Sequence, residues 1–237
     1  AEQSGFLSWS PKTGMAPPLA LDIDGTLTTP TDQIDPRLFE VLPGWDAPVV
    51  VATGKSFPYP IALCHFLGIP EQVVAENGGV VCADGQVSFQ GDRDRAEQAA
   101  SAFRSRGGDL GWDDADTTNR WRETELAART DADEALLREV ADEFGLEVVD
   151  TGYAYHLKTP GVEKGVGLRA IADTLDLDPT AFVAVGDSVN DVSMFEAAGR
   201  SFAVANADDD AREAADTVVD GSYFDGTASV LDAIRAE

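Results

Sequence analysis

The sequence predicts an α/β protein in two parts: a parallel-sheet core and an α+β module inserted into it. Three observations predict this. Short apolar runs alternate with helical patterns up to residue 82 and again from residue 159, the order that right-handed βαβ crossovers generate. The stretch between them changes character, with hairpin signals and two polar helices. Acidic or hydroxyl residues stand directly after the apolar runs, at the edge where open α/β sheets bind ligands. The expected division is therefore 15–82 and 159–237 for the core and 83–158 for the insertion.

The bulk properties set the class. The chain has 237 residues, 43% of them hydrophobic, which is enough for a core and for an inserted module. Its formal net charge is −26, with lysine only at positions 12, 55, 158 and 164. Such a charge disfavours nucleic acid and anionic membranes as partners. It is read as adaptation to a salt-rich cytoplasm, where screening is short-ranged; an acidic protein with a cationic partner is the alternative. No apolar run is long enough to span a bilayer and no secretory signal is visible, so the expected location is cytoplasmic. Cys64 and Cys82 have no metal-ligand spacing and are expected to be reduced and buried.

Taken in order, residues 1–14 lack periodicity and read as a leader ahead of a natural start at Met15, with a mis-assigned start as the rival reading. Residues 19–23 form the first strand. Asp35 and Pro36 suit the N-cap and first position of a helix over 35–42. A strand over 49–52 is followed by a helix over 58–67, stopped by Gly68 and Pro70. A short strand over 73–75 ends in Glu76-Asn77-Gly78-Gly79. Residues 80–82 and 87–89 form a hairpin, and 92–106 a polar helix. The alternating residues 119–127 predict a strand, with Arg120 and Arg122 on one face and Trp121 on the other, packed in the module's core. Asp131 caps a helix over 131–144, and 146–150 pairs with 153–158. The parallel pattern resumes with a helix over 163–175 and a strand over 181–185. A helix over 190–198, a strand over 201–205 and elements over 208–215, 217–219 and 226–236 close the chain.

Four places carry chemistry. In Asp22-Ile23-Asp24-Gly25-Thr26 the two aspartates are spaced i, i+2, so both carboxylates project on one side just past a strand end. Adjacent carboxylates ask for a cation or a shared proton, and Mg²⁺ suits oxygen ligands while leaving positions for phosphate and water. Thr53 and Gly54 follow a buried strand and suit hydrogen bonding to phosphoryl oxygens. Lys164 stands in the first turn of a helix, against the helix dipole, in a chain poor in lysine. Gly186-Asp187-Ser188-Val189-Asn190-Asp191 places Asp187 and Asp191 within reach of one ion. Taken singly, each also has an ordinary reading: solvated strand-end aspartates, an N-cap threonine, a solvent-facing lysine, an Asp/Asn-rich turn.

Together, these four motifs in this order resemble those of the haloacid dehalogenase (HAD) superfamily, over the span from about Leu19 to the C-terminus. The insertion between the threonine and lysine motifs resembles the C2-type cap of its Cof-like branch. Glu76-Asn77-Gly78-Gly79, Asn119-Arg120-Trp121-Arg122-Glu123 and Gly152-Tyr153-Ala154-Tyr155-His156-Leu157 are similar to segments of the archaeal-type phosphoglycolate phosphatases, and the acidic composition suggests a haloarchaeal member. The resemblance implies a Rossmann-like core and a Mg²⁺-dependent phosphomonoesterase acting on a small phosphorylated organic acid, 2-phosphoglycolate. It implies Asp22 as nucleophile and Asp24 as acid and base. Mg²⁺ would be held by Asp22, the backbone of Asp24, Asp187 and Asp191. Thr53, Gly54, Lys164 and Asn190 would hold the phosphoryl group. Arg120, Arg122, His156 and Lys158 are the cap residues expected to meet the substrate carboxylate. Three alternatives stay open: a phosphatase for sugar phosphates or mannosyl-3-phosphoglycerate, a phosphomutase or phosphotransferase, and a non-catalytic phosphate- or metal-binding protein. The sequence says nothing of oligomeric state.

Overall fold

The computed structural model describes residues 16–237; the leader expected over 1–14 lies outside them. The larger layer is an eight-stranded sheet. In chain order its strands are β1 (Leu19–Asp22), β2 (Val49–Ala52), β3 (Val73–Ala75), β4 (Val80–Ala83), β5 (Gln86–Phe89), β9 (Val183–Gly186), β10 (Arg200–Ala203) and β11 (Thr217–Val218). Across the sheet they run β11-β10-β9-β1-β2-β3-β4-β5. The six from β11 to β3 are parallel, and β4 and β5 turn back antiparallel at the edge.

Alternation along β1 divides the core. Leu19 and Leu21 join one apolar cluster with Leu38, Leu63 and Leu231. Ala20 joins the other with Leu168, Ile171 and Met194. Helices α1 (Leu38–Val41), α2 (Pro58–Leu67) and α8 (Tyr223–Arg235) supply the first cluster. The second is supplied by α5 (Lys164–Thr174), α6 (Val192–Ala197) and α7 (Asp209–Ala214). Because β1 neighbours β2 on one side and β9 on the other, with Asp22 level with Ala52, the ends of all three strands reach one sheet edge together.

The smaller layer has a three-stranded antiparallel sheet in the order β6-β8-β7: β6 (Leu126–Arg129), β7 (Glu147–Asp150) and β8 (Ala154–Lys158). One face packs on α3 (Arg93–Ser105) and α4 (Glu134–Glu143), burying Phe103, Leu137, Leu157 and Tyr155. On β8 the alternate residues Ala154, His156 and Lys158 therefore face away from that core.

Three expectations need correction. The boundary at residue 83 cuts the β4–β5 hairpin; β5 pairs with β4 and extends the large sheet, so the inserted layer begins after Phe89. The strand expected over 119–127 starts only at Leu126. Asn119 closes a turn there: its amide donates to the carbonyl of Ala127 (3.0 Å) and accepts the Ala127 N–H (2.7 Å), and side chain–backbone bonds of this kind compete with strand pairing. The alternation of Arg120, Trp121 and Arg122 thus has no strand to sit on: Trp121 is 44% exposed rather than packed, Arg120 is exposed and Arg122 is buried. Finally, α4 is capped by Asp133, which accepts the N–H of Leu136, and not by Asp131.

Two acids join the layers. Glu76, on the large sheet, accepts the N–H of Glu123 (2.9 Å), the N–H of Thr124 (2.8 Å) and the Thr124 hydroxyl (2.7 Å). Glu125, on the cap, is buried against Arg122 and against His156 Nδ1 (2.8 Å), and Asn77 Nδ2 donates to it from the sheet side (3.3 Å). Glu76 and Asn77 both lie in the left-handed region at φ 52°, followed by Gly78 at φ 102°. Non-glycine residues held there cost on the order of 1–3 kcal/mol each, so their cap contacts must over-determine them.

Burial raises the Glu125 carboxyl, but the charges of His156 and Arg122 and the hydrogen bonds of His156 and Asn77 outweigh it and hold it down at about 2. The unfolded chain titrates near 4.3 and binds more protons between these values, so stability rises with pH across that window. Glu125→Gln is expected to be destabilised by about 3 kcal/mol at pH 7. The gap from the native protein should close as pH falls from about 5 to about 2. Urea unfolding of both proteins at pH 7 and pH 3 checks this; an equal gap at both values would contradict it.

Candidate active site

At the common edge, β1 ends in Asp22, on the same side of the strand as Ala20 and facing α5. Lys164, the first residue of α5, is fully buried. Its Nζ donates to Asp22 Oδ1 (2.6 Å), Asp191 Oδ1 (2.6 Å) and Asn190 Oδ1 (3.2 Å). The second oxygen of Asp191 accepts the N–H groups of Asp187 (3.0 Å) and Ser188 (3.2 Å), which shapes the loop after β9. Burial works against the lysine's charge, and the carboxylates of Asp191 and Asp22 outweigh it, so Lys164 stays an ammonium and titrates above an ordinary lysine.

Asp22, Asp187 and Asp191 each offer an oxygen, all within 4.8 Å of one another. Burial, then Asp191, push the Asp187 carboxyl up to about 7, although Lys164 opposes the shift. Asp22 is raised by burial and by the neighbouring acids as well, again against Lys164. Three close carboxylates sharing one ammonium therefore hold excess negative charge. A hard, oxygen-only donor set of this kind fits a divalent cation such as Mg²⁺. Close approach here needs glycine: Gly25 has φ +77°, and a Cβ on it would come within 1.9 Å of Asp187 Oδ2.

Asp24 projects into solvent, its side chain 53% exposed, and pairs with Lys55 Nζ at 3.0 Å. Thr53 is fully buried at the end of β2, where its hydroxyl accepts the Lys55 N–H (3.1 Å). Gly54 gives its carbonyl to Arg122 Nη1 (3.0 Å). A Cβ at Gly54 would sit 2.9 Å from Asn77 Oδ1.

A cavity of about 420 Å³ opens above these groups. Asp22, Asp24, Gly54, Lys55, Ser188 and Asn190 border it from the sheet edge, and Arg122, Thr151, Tyr153 and His156 from the cap. The structure thus brings Asp22, Asp24, Gly54, Lys164, Asn190, Asp187, Asp191, Arg122 and His156 together. It does not bring in Arg120, which is exposed outside the cavity wall, or Lys158, which is tied to Glu147 and the carbonyl of Val162. Sequence reasoning missed Lys55, Glu125, Tyr153 and the role of Asn77. Lys55 could have been found as one of only four lysines, two residues after Thr53; Glu125 carries no local signal, since its partners are set by the fold.

Comparison with known proteins agrees with this geometry. A family model described as haloacid dehalogenase-like hydrolase matches residues 19–107 and 113–231. A Halorubrum lacusprofundi protein named phosphoglycolate phosphatase is 63% identical over 223 residues, 93% of this chain and 98% of its own. A Methanosarcina mazei protein of the same name is 36% identical, over 92% of this chain and 96% of its own. Among solved structures, one from Thermoplasma acidophilum superposes with a TM-score of 0.82 at 26% identity, covering 94% of this chain and all of that one. Its fold, motif order and matched span show that the chain belongs to the haloacid dehalogenase-like hydrolases.

Proposed function

We propose that this phosphatase hydrolyses 2-phosphoglycolate to glycolate and inorganic phosphate through a phosphoaspartate on Asp22. The observation that carries the reading is the buried Asp22–Lys164 pair at the floor of a cavity whose roof carries Arg122 and His156. The 63% identical relative named phosphoglycolate phosphatase supports the choice of substrate.

Asp22 attacks phosphorus in line, and the bond between phosphorus and the ester oxygen breaks. Asp24 gives its proton to the departing alkoxide of glycolate. A water then attacks the phosphoaspartate and passes its proton to Asp24, freeing phosphate and Asp22. Lys164 holds Asp22 in place and offsets charge on the equatorial oxygens, with Asn190 steadying the ammonium. Thr53 accepts the Lys55 N–H and so fixes the turn that leaves the Gly54 N–H for the phosphoryl group. Mg²⁺, held by Asp22, Asp187 and Asp191, would neutralise the repulsion between the carboxylate and the phosphate and orient both.

The cap supplies the second anion site. His156 Nδ1 is held by Glu125, which leaves Nε2 for the substrate. Arg122 commits Nε to the carbonyl of Thr118 and Nη1 to Gly54 and Glu125, which leaves Nη2. A carboxylate one carbon from the ester oxygen can accept from both. Among the described residues no helix is long and apolar enough to cross a membrane. The acidic surface suits a salt-rich cytoplasm, the location we propose.

Phosphate release from phosphoglycolate, ethyl phosphate and hexose phosphates, with Mg²⁺ in high salt, tests the substrate. Phosphoglycolate is expected to lead in kcat/KM by about 100-fold or more, since an analogue lacking the carboxylate leaves the cap donors unpaired. A hexose phosphate in first place would overturn the assignment. Asp22→Asn should lose all measurable turnover, and Asp24→Asn should lose about 10²–10⁴-fold. Chelation with EDTA should abolish release and lower the melting temperature, and Mg²⁺ should restore both; full activity in EDTA would remove the metal from the reading.

A further inference from the structure

The hydrogen bonds around Asn77 form one chain from the cap to the nucleophile. His156 Nδ1 meets Glu125 (2.8 Å), and Asn77 Nδ2 donates to Glu125 (3.3 Å). Asn190 Nδ2 donates to Asn77 Oδ1 (3.0 Å). Lys164 Nζ donates to Asn190 Oδ1 (3.2 Å) and to Asp22 (2.6 Å). Glu125, His156, Asn77, Lys164 and Asp22 are all buried.

The direction of this chain is set by its ends. An ammonium only donates and a carboxylate only accepts. Each amide between them must therefore turn its oxygen towards Lys164 and its nitrogen towards Glu125, and neither can flip without breaking two bonds. Asn77 is the only one of these residues that touches both the cap and the loop carrying Asn190. It does so from a left-handed backbone position next to Glu76, whose carboxylate is anchored to the cap at Glu123 and Thr124. Strained backbone of this kind persists where surrounding contacts use it.

We propose that Asn77 is a positioning residue that couples the cap's anion site at His156 and Arg122 to the placement of Lys164 against Asp22. A substrate carboxylate drawn to His156 fixes the His156–Glu125 pair. That in turn fixes the Asn77 amide, Asn190 and the lysine. The inference rests on the reading of the cavity roof as an anion site, and it adds that filling this site improves the chemistry and not only binding.

The test is a double-mutant cycle of Asn77→Gly and His156→Gln, assayed on phosphoglycolate and on ethyl phosphate, which lacks the carboxylate. Glycine keeps the left-handed backbone and removes the amide. Asn77→Asp keeps the shape and sets a second carboxylate against Glu125, and melting curves establish that the variants are folded. On phosphoglycolate, Asn77→Gly should lower kcat about 10-fold with little change in KM, and Asn77→Asp should lower it further. The double variant should be no slower than about the worse single variant, because both changes cut the same chain. On ethyl phosphate, which sets no carboxylate against His156, both single losses should be smaller than on phosphoglycolate. Losses that multiply on phosphoglycolate, or an Asn77→Gly loss that is equal on both substrates, overturn the coupling. If the native enzyme turns over both substrates equally, the anion-site reading fails by itself. The coupling is then judged by the same cycle on ethyl phosphate, where non-multiplying losses uphold it and multiplying losses reject it.

Discussion

The ammonium of Lys164 is the constraint on which the rest of the site depends. A lysine with no solvent contact is tolerable only if its charge is matched at close range and its three donors are used. Asp22, Asp191 and Asn190 use all three. Those partners come from the end of β1 and from the loop after β9, while the lysine opens α5. A helix start, a strand end and a loop separated by more than 140 residues of chain are thereby held at one point. Losing one carboxylate would strand a buried charge, which costs more than the pair itself contributes. The dipole at the start of α5 works against this lysine. The geometry therefore serves the chemistry at the sheet edge at some expense to helix stability.

The core of this arrangement was legible because its signals are local. Asp22 and Asp24 stand at i, i+2 after an apolar run, so their side of the strand follows from the pleat. Lys164 stands out in a chain of four lysines. The fold class followed from alternating strand and helix patterns, and β1, β2, β3 and β9 fall where the apolar runs are. Errors came where a local pattern had two readings. Residues 119–125 alternate as a strand would, yet Asn119 spends its amide on Ala127 and turns the chain, leaving Trp121 in solvent and Arg122 buried. The β4–β5 hairpin reads equally well as the start of an insertion or as an antiparallel edge, and only pairing to β3 decides it. Glu125 and Asn77 were illegible as a pair because 48 residues separate them and no periodicity links them.

The two layers also divide the work by physical character. The sheet edge supplies acids and one buried ammonium, arranged on rigid strand ends. The cap supplies the hydrogen-bond donors, His156 from β8 and Arg122 from the turn before β6. Alternation on β8 makes this possible: Tyr155 and Leu157 hold the strand on the cap core, so His156 between them must face the cavity. The same pleat that places Asp22 opposite α5 thus places His156 over it.

Charge is the reason the proposed reaction calls for a metal. Asp22 and Asp24 border the cavity, Asp187 and Asp191 lie beside Asp22, and Lys164, Lys55 and Arg122 are the cations paired within this group and its rim. Lys55 is already paired with Asp24, Arg122 with Glu125, and Lys164 with two acids. A phosphate dianion entering the cavity meets a negative field that the protein alone does not cancel, and low-dielectric walls strengthen the repulsion. An acidic protein of net charge −26 adds to it at long range unless salt screens it. The Asp187 carboxyl, pushed up to about 7 by burial and by Asp191, and the Asp22 carboxyl, raised by burial and by the same neighbours, both register this crowding. A divalent cation among the three aspartates would relieve it at the point where the phosphate must sit, so substrate affinity and metal occupancy should rise together.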